Sequence, residues 1–238
     1  MSELLRYCAG LLLCAALLPA HAATPYTRIE ANYDVTKGVR IATISETYTR
    51  AQNRYHLESI SQAVGLLAMI KNETITVISD GTVTENGLRP DVASGTRKLD
   101  TQRNVKAEFD WTAKTVTLHN RDGVRTLPLP PNTQDRLSTM YQFMFLGLKE
   151  NSTVDFYMSD GTDLDPYGFR ADAELQSVTV PAGTFRALHV SSTPQPGRRS
   201  REEIWLATDY ANLPCKMLVV DSNGHEFTQV LTQLKTEP

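Results

Sequence analysis

The chain has 238 residues, 21% of them charged, with a formal net charge of −3 at neutral pH. Nucleic-acid binding needs a basic face, and a mildly acidic chain gives no sign of one. The cluster Arg198-Arg199 with Arg201 is answered at once by Glu202 and Glu203, the pattern of a solvated hairpin rather than a nucleic-acid surface.

The N-terminus has three parts. Arg6 supplies a positive start, residues 11–18 form an almost unbroken apolar run, and Pro19 breaks it before Ala20-His21-Ala22. Small residues at both positions a signal peptidase reads complete a secretory signal. The run is too short for a bilayer-spanning helix of about 20 residues. Cys14 follows Leu13 and Cys8 follows Tyr7, so lipid attachment is not expected. Residues 1–22 are therefore read as a cleaved signal peptide, and the location as periplasmic. Residues 23–238 are read as a single β-rich domain without a transmembrane segment.

Strand patterns dominate that remainder. Ile29, Ala31, Tyr33 and Val35 alternate with Glu30, Asn32 and Asp34, the period of a half-buried strand. Val105, Ala107, Phe109 and Trp111 repeat it, as do Val154, Phe156 and Met158, then Met217 with Val219, and Phe227 with Leu231. Glycine dipeptides punctuate these runs: Lys37-Gly38, Asp80-Gly81, Asn86-Gly87, Asp122-Gly123, Asp160-Gly161, Ala182-Gly183, Pro196-Gly197 and Asn223-Gly224. Glycine tolerates the positive φ of tight hairpin turns. Short strands at this spacing, without alternating helices, predict a mainly β fold, an antiparallel barrel-like or sandwich sheet.

Two stretches break the pattern. Residues 63–70 are apolar throughout except Gly65. They read either as a buried turn or short helix in the core, or as an apolar lip at the mouth of a cavity, with Leu66 and Leu67 touching a ligand. Residues 132–149 place Leu137, Met140, Tyr141, Met144, Phe145 and Leu148 at helical spacings. Pro130-Pro131 precede them, Asn132 or Thr133 can cap, and Asp135 in the first turn suits the helix dipole. This predicts one prominent central helix, buried on two sides, between N- and C-terminal groups of strands.

Chemistry-bearing patterns are sparse. His56, His119, His189 and His225 stand far apart, without the tight ligand spacing of a metal site. Residues 160–165 lack the glycine and closing glutamate of a calcium loop. There is no Gly-x-Ser-x-Gly elbow and no Ser-x-x-Lys. The chain reads as non-enzymatic, with no catalytic residue, metal or cofactor. Cys215 is alone once the signal has left, so it cannot close a disulfide within the chain; it reads as a structural packing residue.

The run Gln134-Asp135-Arg136-Leu137-Ser138-Thr139-Met140-Tyr141-Gln142-Phe143 resembles the signature helix of the exported bacterial family called domain of unknown function 3108. Gly87-Leu88-Arg89-Pro90, Glu108-Phe109-Asp110-Trp111, Val180-Pro181-Ala182-Gly183-Thr184-Phe185, Glu203-Ile204-Trp205-Leu206 and Leu213-Pro214 resemble it in the same order. The resemblance implies an exported β-protein and brings no established activity. A more distant architectural similarity is to periplasmic lipoprotein-carrier proteins, through the late Trp-Leu strand, Leu-Pro, and Asp221-Ser222-Asn223-Gly224.

Two functions of different class follow as expectations. The first is a binding protein whose β cavity, closed by the 132–149 helix, holds a lipid or other amphiphilic envelope molecule, with Gln134, Arg136 and Tyr141 as polar contacts. The second is a structural or assembly factor that holds a protein partner. Asp135 is expected to be structural, either as a plain cap or paired with an arginine across the barrel.

Overall fold

The computed structural model describes residues 26–194 and 200–238. The signal-peptide reading, the Pro196-Gly197 turn and Arg198-Arg199 lie outside the described residues. In chain order the first half forms β1 (Arg28–Lys37), β2 (Val39–Ala51), β3 (Arg54–Ala63), the short helix α1 (Gly65–Ile70), β4 (Thr74–Thr84), β5 (Gly87–Arg97), β6 (Val105–Asp110), β7 (Thr115–Asn120) and β8 (Gly123–Pro128). The second half forms β9 (Gln134–Asp135), the helix α2 (Arg136–Gln142), β10 (Thr153–Ser159), β11 (Leu164–Val180), β12 (Gly183–Ser192), β13 (Arg201–Ala207), β14 (Leu213–Val220) and β15 (Glu226–Glu237).

All of these strands join one sheet, ordered β8-β7-β6-β5-β4-β3-β2-β1-β15-β14-β13-β12-β11-β10-β9. Each half is a meander of antiparallel neighbours, and β1 pairs with β15 from Arg28↔Glu237 to Thr36↔Thr228 to join the halves. The exception is β9, which runs parallel to β10 through Gln134↔Met158 and Asp135↔Ser159. The sheet rolls up without closing, because no ladder links β8 to β9. The fold is thus the barrel-like form of the expectation, built from one sheet rather than two.

The alternation in β1 does what its period demands: Ile29, Ala31 and Tyr33 are buried while Arg28, Glu30 and Asn32 are not. Inward residues from both halves then converge on α2. Tyr33, Tyr48, Tyr55, Leu57, Leu137, Tyr141, Cys215 and Leu231 share one core, while Phe143, Phe156, Phe169, Leu188, Ile204 and Leu206 share a second. Apolar area removed from water at about 25 cal/mol per Å² is what holds the rolled sheet on its plug.

The structure departs from the sequence pattern at three places. First, the helix is Arg136–Gln142 only, not residues 132–149. Gln134 and Asp135 are taken into the parallel ladder with β10, so neither Asn132 nor Thr133 is the cap. Asn132 has φ +59°, and Thr133 Oγ1 donates to the Pro130 carbonyl. The cap is Asp135, in a capping box with Ser138. Beyond Gln142 the chain continues in tight turns, since Met144 N donates to Tyr141 O and Phe145 N to Gln142 O. The aromatics there bury in different directions rather than along one helical stripe. Phe143 meets Phe169 edge-on at 5.3 Å.

Second, Asp80-Gly81 is not a turn but lies inside β4, at a register shift opposite β5. A Cβ on Gly81 would sit 2.2 Å from the Arg89 carbonyl oxygen and 2.7 Å from the Tyr55 ring, so glycine serves close approach here.

Third, residues 63–70 are not a core element. They form α1, which buries none of its residues and leaves Leu66 78%, Met69 83% and Ile70 86% exposed. A short helix does form, but not in the core, and none of its residues lines a cleft, so the exposure matches a lip while the cavity expected beside it does not.

Candidate functional site

The open seam positions the functional side chains, because the segment around β9 and α2 must hold the roll together without a backbone ladder. β9 packs against β5. There Gln134 Nε2 donates to the Leu88 carbonyl at 2.8 Å, and the Leu88 amide donates to Gln142 Oε1 at 2.7 Å. Gln142 Nε2 also donates to the Asn86 carbonyl at 2.8 Å. Two glutamines eight residues apart thus satisfy backbone groups at the end of β5 that no strand reaches. Gly87 makes this contact fit: its φ is +97°, and a Cβ would lie 2.4 Å from Gln142 Oε1.

One side of this clasp borders a cleft of about 590 Å³. Leu88, Trp111, Phe145, Leu146, Val154 and Phe156 supply its apolar wall, and Glu85, Arg89 and Asp155 stand among its polar residues. The Trp111 indole is fixed by donating to the Pro90 carbonyl at 2.7 Å, by stacking on Phe109, and by the Arg89 guanidinium 5.9 Å above its ring. Gln134 borders the cleft too, 3% exposed, and its Oε1 is buried with no hydrogen-bond partner among the described residues. A buried acceptor left unmatched costs about 1–3 kcal/mol, so it marks a polar demand at the edge of the cleft.

At the other end of the seam a second cleft, of about 550 Å³, is lined by Arg97, Arg103, Arg121 and Arg136 with Asp122 and Asp160. Arg136 lies 3.5 Å from the buried Glu202 carboxylate. The structure therefore does not bring the expected ligand residues together. Gln134 borders one cleft and Arg136 the other, while Leu66 and Leu67 stand on the exposed α1.

Tyr141 belongs to the interior. It is 1% exposed, stacks on Tyr48 at 5.8 Å, and donates its hydroxyl to Glu46 Oε2 at 3.1 Å. Ser59 Oγ donates to the other Glu46 oxygen at 3.1 Å. Burial pushes the Glu46 carboxyl up to about 7 against these two donors, and pushes the Tyr48 phenol, whose hydroxyl has no partner among the described residues, up to about 12. Glu46 lines neither cleft. Its geometry is that of a half-buried, hydrogen-bonded carboxyl on the same face of β2 as the buried Tyr48.

Asp135 is 2% exposed. Oδ1 accepts from the Leu137 and Ser138 amides at 2.9 Å each, and Oδ2 accepts from Ser79 Oγ at 2.6 Å. Ser79 Oγ in turn accepts from the Tyr55 hydroxyl at 3.0 Å. Asp135 is therefore a cap with a second tie to β4, and the expected arginine partner is replaced by a serine. Burial raises its carboxyl above the ordinary range. Cys215 is fully buried, with Sγ 3.3 Å from the Trp205 carbonyl and its thiol pushed up by burial to about 11.

Each histidine that the sequence left isolated has a carboxylate beside it: His56 with Asp80, His119 with Glu108, His189 with Asp172 and His225 with Asp221. Among the described residues, no three His, Cys, Asp or Glu side chains come together to hold a metal ion. Sequence reasoning missed Gln142, Trp111 and Phe145 as cleft residues. Gly87-Leu88 was visible as a motif, but its partner across the seam was not.

A family model described as "Protein of unknown function (DUF3108)" matches residues 32–232. No curated protein matches the chain. Among solved structures, the crystal structure of a beta-barrel-like protein of domain of unknown function DUF1849 from Brucella abortus superimposes with a TM-score of 0.58. The match covers 91% of this chain and 100% of that one at 11% identity, a likeness of fold alone.

Proposed function

The chain belongs to the DUF3108 family of proteins of unknown function, and we propose that it is an exported, non-catalytic binding protein that holds an apolar or amphiphilic molecule of the cell envelope in the cleft beside Gln134. The observation that carries this reading is the cleft itself. Its volume of about 590 Å³ falls within the usual range for small-molecule sites, roughly 300–1,000 Å³, and its lining joins an apolar, partly aromatic wall to a polar one, as an amphiphile would need. An acyl or other apolar chain would lie on Trp111, Phe145, Leu146 and Phe156, and a polar group would meet Arg89 or the unmatched Gln134 Oε1. The export pattern of residues 1–22 supports a periplasmic location, where such molecules are available.

Native mass spectrometry of protein purified from its own envelope tests it. The parent is expected to carry a small amphiphile, and Leu146→Asp, at a partly buried position on the cleft wall, is expected to lose it, with circular dichroism showing that the variant is folded. A ligand-free parent would overturn the reading. Recovery of a bound polypeptide in place of a lipid would also overturn it, in favour of an assembly factor.

A further inference from the structure

Exposed large apolar side chains are not spread over this protein. Among the described residues they are Val39, Leu66, Leu67, Met69, Ile70, Leu99, Val124 and Tyr157. In an antiparallel meander the β1–β2, β3–β4, β5–β6 and β7–β8 connections leave the same end of the sheet. Every residue of the set except Tyr157 lies on or beside one of them. Val64 N donates to the Ile41 carbonyl, which sets α1 against the β1–β2 hairpin. Glu73 Oε1 accepts from Leu99 N, which ties the β5–β6 connection to the end of the α1 segment. Apolar residues scattered singly over a surface are ordinary, whereas a grouped patch marks a contact.

Charge says which contact. Residues 37–40, 64–73, 97–104 and 120–123 contain Lys37, Arg40, Lys71, Arg97, Lys98, Arg103 and Arg121 against Glu73, Asp100 and Asp122. Glu73 is 9% exposed and lies 3.7 Å from Lys71, Arg40 faces Asp34 at 3.2 Å, and Asp122 faces Arg121 at 3.6 Å, which leaves Lys37, Arg97, Lys98 and Arg103 against Asp100. This end of the N-terminal half is basic on a chain whose net charge is −3. Asp160, Asp163 and Asp221 lie on the C-terminal half of the same end, so the basic and apolar surface is one-sided.

We propose that this surface docks on an anionic phospholipid bilayer, with Leu66, Met69, Ile70 and Leu99 entering the boundary between headgroups and acyl chains. Lys71, Lys98, Arg97 and Arg103 meet the lipid phosphates. Apolar side chains backed by cations are the composition that lies on a charged membrane surface, each cation near it adding to the attraction and salt weakening it. The β4–β5 hairpin, and with it the Gln134 cleft, lies at the opposite end of the sheet. The docking surface and the cleft are therefore independent, and either can fail alone.

Tryptophan fluorescence of Met69→Trp tests the docking, with Tyr157→Trp as the comparison. Vesicles of equimolar phosphatidylcholine and phosphatidylglycerol are expected to shift the emission of Met69→Trp to the blue, with no shift for Tyr157→Trp. Pure phosphatidylcholine or high salt should weaken the effect roughly tenfold or more. The combined variant Leu66→Ser, Met69→Ser, Ile70→Ser should lose roughly tenfold or more in vesicle co-sedimentation, while its thermal unfolding stays at the parent value because these side chains are exposed. Residues 1–22 are common to parent and variants, so a shift confined to position 69 reports α1. No shift at position 69 with anionic vesicles would overturn the proposal. So would a shift that appears only when an envelope protein is added, or one equal on neutral vesicles and insensitive to salt.

Discussion

The Ser79 hydroxyl donates to Asp135 Oδ2 across 2.6 Å, tying β4 to the start of α2 over 56 positions of sequence. Because the other carboxylate oxygen caps the helix, Asp135 acts as a hinge-pin with two separable jobs. Asn retains an oxygen for the Leu137 and Ser138 amides and turns an amide toward a hydroxyl that can accept. Asp135→Asn is expected to cost about 1 kcal/mol or less, and Asp135→Ala about 2–4 kcal/mol, since it removes the cap and also orphans Ser79. Urea unfolding measures both. A large loss for Asn alone would mean that the charge itself has a cationic partner.

Glu46 gives the fold a pH dependence of unusual sign for a carboxylate. Burial lifts it from its ordinary 4.5 to about 7, so between those values the folded protein holds a proton that the unfolded chain has released. Its contribution is complete below about pH 4.5 and declines as pH rises to about 7, by at most about 3 kcal/mol. Asp135 is raised as well and works in the same direction. The informative quantity is therefore the difference between the parent and Glu46→Gln, whose stability should decline less over that interval. Parallel stability–pH curves for the two would refute the assignment.

Gly87 and Gln142 should be coupled. In Gly87→Ala a Cβ meets the Gln142 amide at 2.4–2.8 Å, on a backbone already at φ +97°. A loss of about 2–4 kcal/mol is expected. In a Gln142→Ala background the collision disappears and only the backbone strain remains, so the same change should cost at least about 1 kcal/mol less. Additive losses in the four-variant cycle would show that the clasp is not where the cost arises.

Cys215 is expected to be inert while the protein is folded. Its thiol is pushed up to about 11 and is fully buried, whereas the thiolate is the reactive species. Alkylation mapped by peptide mass spectrometry should leave the Cys215 peptide unmodified in native buffer and label it in urea. Labelling at equal rates in both would contradict the burial.

Strand content was readable from residues 29–35 or 105–111 because one face of a two-residue period is enough to declare itself. The antiparallel, barrel-like class followed from the number of such runs. What could not be read is what depends on partners far away. Residues 132–149 have the spacing of a long helix, yet β10 claims Gln134 and Asp135 for a parallel ladder, and tertiary contacts to Phe169 pull the far end out of helical shape. Gly81 carries the same local signal as a turn glycine, but its role is to let the Arg89 carbonyl and the Tyr55 ring come close. The apolar content of residues 63–70 was plain, and only the fold shows that it faces outward. Gln134 was visible as part of a motif, but the cleft it borders is assembled from β5, the end of β6 and β10, which no local pattern joins.

The β1–β15 ladder couples the first described strand to the last. Each arm can zip up from successive hairpins as it is synthesised, but the arms have no shared register until Glu226–Glu237 is available. A chain cut short before that point would leave β1 and β14 as two naked, well-formed strand edges, each offering unpaired amides and carbonyls to other molecules. Products that stop short of Glu226 should therefore be captured in aggregates rather than persist as half-barrels, so the integrity of the whole sheet rests on the Glu226–Glu237 strand.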